Sequence, residues 1–387
     1  MSMNCRIAEM EQDSMNKVSV LIGADVVPSR SNEFFFEGGK IDSIFDEGIR
    51  CVWEKANVKV FNLESPLYDG CSKIDKCGPH LVSATACLHG LNLLKPDLIL
   101  LANNHIMDHG DAGLKSTLKA LCSKNIDYVG VGSSILEMKK SHVVERNDIK
   151  IAFYNCAESE FSIATTKKSG ANPFDYIESF DDVADLKKKN DFVVVCYHGG
   201  KEFYPYPSPN LQRIFRKFAE KGADVVVAQH THCIGCYEMY KGSTLVYGQG
   251  NFLFDMQIAN NDSCALLLQL FISKTEYHVE FIPVLLNQKK MIRLDENVEC
   301  LKKFLYRSEQ IKDSVFLEKQ YAAFAKKQFP YYLRILKGNS FPYKILYKLC
   351  RKMVVRLTKK NNLLAIQNFI ECEAHRELLL QGLKEER

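Results

Sequence analysis

The sequence predicts an α/β fold with buried sheet strands and an α-helical C-terminal extension. Three observations carry this. Short β-branched apolar runs alternate with amphipathic helical stretches from Val18 onward. The last two apolar runs, Cys264–Ile272 and Glu276–Ile282, are separated only by Ser273–Thr275, the signature of an antiparallel hairpin that closes the body. Beyond about residue 290 the texture turns helical and basic.

In chain order, the strand candidates are Val18–Ile22, Val58–Phe61, Leu98–Leu101, Tyr128–Val131, Ile151–Tyr154, Phe192–Cys196, Val225–Ala228 and Thr244–Tyr247, followed by the hairpin pair. Each is a short apolar, β-branched run, the composition of a strand buried on both faces. The intervening helix candidates are Ile41–Val52, Ala84–Leu94, Gly113–Lys124, Val183–Lys189 and Asn210–Lys221. A boundary falls between residues 285 and 297. The reading is therefore a domain over 18–290 and a basic helical extension over 298–387, interrupted at Pro330, Gly338 and Pro342.

Composition excludes several classes. Of 387 residues, 46% are hydrophobic and 25% charged, which rules out a disordered chain, a collagen-like chain and a bundle of membrane helices. No apolar run reaches the length of a membrane span, and Met1–Lys17 does not read as a signal peptide. The 14 cysteines are scattered, mostly inside apolar runs, and read as reduced thiols of a cytoplasmic protein. The net charge of +4 argues for no partner, but its distribution is uneven: residues 301–360 carry a local +13 and the remainder −9.

Polar residues gather just past the strands. Asp25 follows the first, Asn62 and Glu64 the second, Asn103, Asn104 and His105 the third. His198 follows Phe192–Cys196, and His230 and His232 follow Val225–Ala228. In open α/β sheets the carboxyl edge is where sites form. Asp25, Glu64, Asn104, His198, His230 and His232 offer two carboxylates, one amide and three imidazoles, a donor set for divalent metal ions, one or two, with a carboxylate shared between two. Such ions activate water and clamp phosphoryl oxygens. His105 is placed to protonate a leaving oxygen. Any one of these motifs is commonplace: a lone His-x-His is often incidental, and Asn-Asn-His is often a loop or cap. Their joint occurrence at five strand ends is what points to a site.

At these residues the sequence resembles the CapA family of poly-γ-glutamate and capsule synthesis proteins, which share the calcineurin-like metallophosphoesterase fold. The resemblance covers roughly residues 18–285. It rests on Asp25 with Arg30, on Asn62-Leu63-Glu64-Ser65-Pro66, and on Lys76-Cys77-Gly78-Pro79. It continues through Leu101-Ala102-Asn103-Asn104-His105 with Asp108 and Gly110, and His198-Gly199-Gly200 with Glu202. Gly222-Ala223-Asp224 leading to His230-Thr231-His232, and Tyr247 through Gly250-Asn251-Phe252, complete it.

The resemblance implies a sandwich of two central sheets flanked by helices. It implies that Asp25 and His232 hold a first metal, that Glu64 bridges, and that Asn104, His198 and His230 hold a second. His105 and Asp108 would be catalytic, and Arg30, Lys76, Asn103, Glu202 and Asn251 would contact substrate. Manganese, iron and zinc fit these donors about equally. The sequence departs from the family pattern at Ala24, Val27, Ala228-Gln229 and Gln249, none of which removes a proposed ligand.

Two functions from different classes follow. One is a metal-dependent hydrolase of a phosphoester or related bond, acting on an anionic polymer or a phosphorylated small molecule in capsule or cell-envelope polymer metabolism. The other is a non-catalytic binding or assembly component of an anionic polymer synthesis complex. Residues 301–360 read either as a solvated helical face or as peripheral contact with an anionic membrane at the inner surface. Nucleic-acid binding is not expected, since no such motif appears. Cys233-Ile234-Gly235-Cys236 reads as packing rather than a redox or zinc motif, and Tyr204–Pro209 as a stiff loop before a helix.

Overall fold

The computed structural model describes residues 17–29, 31–254, 264–286, 292–296, 298–336 and 359–385. Along the first half run β1 (Val18–Val27), α1 (Glu47–Lys55), β2 (Val58–Leu63), β3 (Leu98–Leu100), α2 (Gly110–Ser123) and β4 (Tyr128–Val129). Then come β5 (His142–Arg146), β6 (Ile149–Ala157), α3 (Glu178–Lys187), β7 (Phe192–His198), α4 (Pro209–Glu220), β8 (Val225–Gln229), β9 (Tyr237–Tyr240) and β10 (Ser243–Val246). The chain closes with β11 (Asn251–Phe254), β12 (Cys264–Ile272), β13 (Tyr277–Leu286), β14 (Ile292–Leu294), α5 (Glu299–Gln310), α6 (Ser314–Leu336), α7 (Lys360–Glu371) and α8 (Glu373–Glu385).

These strands form two packed sheets. The first has the order β14-β13-β12-β1-β2-β3-β4, with β11 also paired to β1. The second has the order β9-β10-β8-β7-β6-β5. Each has a parallel centre, β1-β2-β3-β4 in one and β6-β7-β8-β10 in the other, and antiparallel strands at its edges. Alternation within the strands decides which face goes where. Val18, Val20 and Ile22 meet Ile151, Phe153, Val194 and Val227 in the core between the sheets. Leu21, Phe61 and Ile99 face the helices of the first half. Ala152, Val193 and Val226 face α3 and α4. The result is the expected α/β sandwich, with helices on both outer faces.

Local chemistry explains the covering helices. In α4, Leu211, Ile214, Phe215 and Phe218 fall at the spacing of one helical face and are all buried. Its start is fixed by Ser208, whose Oγ accepts from the Leu211 N–H at 3.0 Å, and by Pro209 in the first turn. In α1, the Asp46 carboxylate accepts from the Ile49 N–H at 2.8 Å.

The body runs further than the expected boundary at 290. Strand β14 adds to the edge of β13. Helix α5 is also part of the body: Phe304 is fully buried, stacked on Tyr237 at 5.3 Å and against Phe281 at 4.8 Å. Beyond it, α6, α7 and α8 pack as a helical unit, and α6 runs on through Pro330, where a break was expected. Tyr204, from the proline-rich loop, joins Tyr321, Ala325, Ala365, Phe369 and Leu378 in its core. No described helix is long and apolar enough to cross a membrane.

A correction concerns the cysteines. Cys264 of β12 and Cys300 of α5 are joined as a disulfide across a Cα separation of 6.1 Å, so the thiols are not all reduced. Cys233 and Cys236 are buried and in no disulfide. Alkylation of denatured protein at the moment of lysis, followed by peptide mapping without reduction, should recover a linked Cys264–Cys300 peptide and blocked Cys156 and Cys196. Recovery of Cys264 and Cys300 as alkylated thiols would overturn the pairing.

Candidate metal centre

The parallel strands of both sheets end toward one cleft. Asp25 lies near the end of β1, Glu64 one residue past β2, Asn104 and His105 past β3, His198 at the end of β7, and His230 and His232 just past β8. Residues far apart in the chain therefore meet without any long loop having to carry them.

Their donors interlock. His198 Nε2 is 3.3 Å from Glu64 Oε1 and 3.1 Å from Asn104 Oδ1. His230 Nδ1 is 3.9 Å from the same Glu64 oxygen, and His232 Nδ1 is 3.8 Å from Asp25 Oδ2. Ligating atoms of Glu64, His198 and His230 all lie within 4.8 Å of one another, and so do those of Asp25, Glu64 and His232. The two groups share Glu64.

Glu64 is fully buried, and neither carboxylate oxygen has a hydrogen-bond partner; His230 Nδ1 is likewise buried and unpartnered. An orphaned buried acceptor costs about 1–3 kcal/mol, more for a charged group. Two such oxygens facing imidazole nitrogens are what a divalent cation would satisfy, so the residues present fit the metal that the donor pattern implies.

The electrostatics agree. Burial, then the charge of Glu64, pushes the Asp25 carboxyl up to about 7. Burial also acts to raise Glu64, but the His232 and His198 imidazoles outweigh it and hold that carboxyl well below its usual range. Burial takes His198 down to about 4, against the pull of Glu64. At His230 burial loses to Glu64, Glu202 and Glu160, and the imidazole rises to about 9.

A supporting layer holds the donors. Asn62 donates to Asp25 Oδ1 at 2.8 Å and approaches His198 Nδ1 at 3.4 Å. The His230 backbone N–H donates to Asp25 Oδ2 at 3.0 Å. His230 and His232 both adopt positive φ, 95° and 52°, a conformation that costs side-chain-bearing residues of order 1–3 kcal/mol. That hydrogen bond helps hold the turn. Gln229 donates to Gly23 O at 3.0 Å and to Gln249 Oε1 at 3.1 Å, and Gln249 donates to Ile22 O and Leu266 O. The two family departures thus stitch the sheets together beneath the site.

The other site residues from the sequence sort by environment. His105 Nδ1 pairs with Asp108 Oδ2 at 2.7 Å, which leaves Nε2 to serve a ligand. Lys76 bonds the other oxygen of Asp108 and is buried, so its charge is committed there. Burial acts to raise Asp108, but His105 and Lys76 hold it low. Asn103 is fully buried; its amide donates to Leu63 O and Asn62 Oδ1 and accepts from the His105 and Ile106 N–H groups. Here it buttresses the loop. Asn251 Oδ1 is 2.8 Å from His232 Nδ1 and orients that ring. Glu202 Oε1 is 4.0 Å from His230 Nε2, and Glu202, His230 and His232 form a further metal-ligating group. Arg30 lies outside the described residues.

Sequence reasoning did not single out Glu158. It stands at the end of β6, buried, accepting from the Tyr197 hydroxyl at 3.2 Å and the Gly200 N–H at 3.1 Å. A Cβ on Gly199 would meet its Cδ at 2.6 Å, so the turn after β7 requires glycine there. The strand-end rule that found the other donors would have found it, since Glu158 follows Ile151–Tyr154 in the same way.

Residues 19–256 match the family described as bacterial capsule synthesis protein PGA_cap. The chain belongs to that family. Within it, the chain is 32% identical over 173 residues to the capsule biosynthesis protein CapA of Bacillus anthracis, covering 43% of this chain and 42% of that protein. It is 29% identical over 247 residues to the PGA biosynthesis protein CapA of Bacillus subtilis, covering 63% and 65%. A probable polyglutamine synthesis accessory protein of Mycobacterium tuberculosis is 28% identical over 180 residues, covering 43% and 47%. These matches thus leave a third or more of each relative's length unmatched. Among solved structures, a putative 5'-nucleotidase from Staphylococcus aureus aligns over 74% of this chain and 57% of its own, at 16% identity and a TM-score of 0.44.

In this family member, the metal-free fold keeps a proton on Asp25 that the unfolded chain, with an ordinary value of 3.8, has released. Stability from this group is therefore full below about pH 4 and is lost as pH rises through about 7. In chelated protein, Asp25→Asn should unfold at a midpoint that gains on the wild type as pH climbs across that window. A midpoint difference independent of pH would refute the assignment.

Proposed function

We propose that the chain is a metal-dependent hydrolase of a phosphoester or related bond, serving the synthesis of a capsule or polyglutamate-type anionic polymer. The orphaned Glu64 carboxylate between His198 and His230 is the observation that carries this reading. Asp25, Glu64, Asn104, His198, His230 and His232 would hold one or two ions of manganese, iron or zinc; Glu202 is a further donor. Bound there, a divalent ion supplies Lewis acidity and water activation. The names of the relatives in Bacillus support the polymer.

The protein's own groups perform the rest. The Asp108 carboxylate fixes the His105 tautomer by accepting from Nδ1–H, so Nε2 is the atom that moves a proton to a leaving oxygen. Lys76 offsets the Asp108 charge within the same buried group. Asn251 and Asn62 hold His232 and His198 against rotation.

Elemental analysis of purified protein, followed by phosphoester turnover with added manganese, tests this. Bound metal and turnover are expected, with His105→Ala losing about 10²–10⁴-fold in rate while keeping its metal. Absence of both metal and turnover would sink the enzyme. The word accessory in the mycobacterial relative's name favours a second reading, a binding or assembly component, which predicts bound metal without turnover on any phosphoester.

We further propose peripheral contact with an anionic membrane through residues 301–360. Helix α5 spends its apolar face on the sheets, so contact would rest on the segment after it; residues 337–358, with the Tyr343–Leu349 stretch, lie outside the described residues. Flotation with anionic vesicles should carry the full chain upward, and protein left at the bottom at low salt removes the proposal.

A further inference from the structure

A second set of donors collects where the C-terminal helices meet the rim of the centre. The α7–α8 junction presents Cys372, in extended backbone between the two helices, and His375 in the first turn of α8. Across the seam, β6 runs out into Glu158 and Glu160. Cys372 is buried, with Sγ 3.7 Å from Glu158 Oε2 and 3.9 Å from Glu160 Oε1. Ligating atoms of Glu160, Cys372 and His375 all lie within 4.8 Å of one another. Tyr197 and Gly200 occupy Oε1 of Glu158, which leaves Oε2 on the cysteine side. Glu373 adds a third carboxylate to the seam, accepting from the Ser159 N–H at 3.1 Å.

A thiol makes only weak hydrogen bonds, so two carboxylates turned toward one buried sulfur gain little from it. A sulfur, an imidazole nitrogen and a carboxylate oxygen within 4.8 Å of one another, with a second carboxylate oxygen 3.7 Å from the sulfur, are instead the donor set of a borderline cation. Zinc holds such donors at about 2.0–2.3 Å, which sets donors sharing a tetrahedral ion roughly 3.5 Å apart. The sulfur–oxygen separations are already close to that. The cluster also joins segments 214 residues apart, the β6 edge and the helical unit. His375 lies within electrostatic reach of Lys201 and Glu202, so the seam adjoins the main centre.

We propose that Glu160, Cys372 and His375, with Glu158 Oε2 as a fourth donor, form a second divalent-cation site of the zinc type that clamps α7 and α8 onto the rim of the main centre. The site is structural, since its donors come from packed segments and the thiolate would be held inside the seam. Binding releases the thiol proton to solvent and, with one dication against the thiolate and two carboxylates, leaves the site with one net negative charge. The inference does not depend on hydrolysis at the main centre.

Cobalt titration of the full chain tests it. The main centre's donors are oxygen and nitrogen only, so a thiolate-to-cobalt charge-transfer absorption in the near ultraviolet excludes the main centre, and its loss in Cys372→Ser separates this site from the Glu33, Glu37 and Cys87 group. The band should saturate once the main centre and the seam are both filled, disappear in Cys372→Ser and persist in Glu64→Gln. His375→Gln should keep the band but weaken cobalt binding at least ten-fold, which decides the matter if Cys372→Ser fails to fold. A cobalt-loaded wild type with no band, a band that survives in Cys372→Ser, or cobalt affinity unchanged in His375→Gln, overturns the proposal.

Discussion

A carboxylate without a hydrogen bond, buried between imidazoles, is the constraint on which the centre depends. Glu64 is out of water and neither of its oxygens is satisfied by the protein. Such a group is tolerable only with a positive partner at hand. His198, His230 and His232 are that partner in part, and the directions of their titration show how incompletely: His198 is driven neutral while His230 is driven charged. One imidazole cannot satisfy the carboxylate in the way a cation seated among all of them would.

Holding such a group requires rigid surroundings, and the two-sheet sandwich supplies them. Glu64 follows directly from the parallel strand β2, and His198 ends the parallel strand β7, so neither can drift without breaking a ladder. The connection after β8 is less regular. Its two histidines take left-handed backbone, and the Asp25 carboxylate and the Asn251 amide hold them. Gln229 and Gln249 tie the two sheets to each other at the level of the cleft, where a slip would separate the donors contributed by opposite sheets.

Much of this was legible in the sequence because buried parallel strands announce themselves as apolar runs, and polar residues at their ends stand out against that background. Asp25, Glu64, Asn104, His198, His230 and His232 were found in this way and converge. Asn103 and Asn251 were read as facing substrate; Asn103 donates to the Leu63 carbonyl and Asn251 Oδ1 lies 2.8 Å from His232 Nδ1, a supporting contact that side-chain type alone does not announce. The edge strands β5 and β9 were missed because they are half exposed and carry no apolar run: in His142–Arg146 only Val144 is buried. The Cys264–Cys300 pair was hidden for a different reason. It joins a strand to a helix across the expected domain boundary, and spacing alone gave no sign that α5 belonged to the body.

The helices beyond α5 change how the centre should be understood. The family match ends at residue 256, and all the main donors lie inside it. The groups that close one side of the cleft do not. Glu377 accepts from Asn210 at 2.6 Å, Glu373 from Ser159, Lys360 pairs with Asp75, and Phe324 stacks on Tyr204 at 4.3 Å. These contacts land on Asp75 beside Lys76, on the turn after β6, on Tyr204 in the run after His198, and on Asn210 in the first turn of α4. Shape and charge at the rim are therefore set by a segment that the family match does not include, whereas the donors are set by the segment that it does. In this chain the donors are thus held by the matched segment, and one side of their surroundings by residues that follow it.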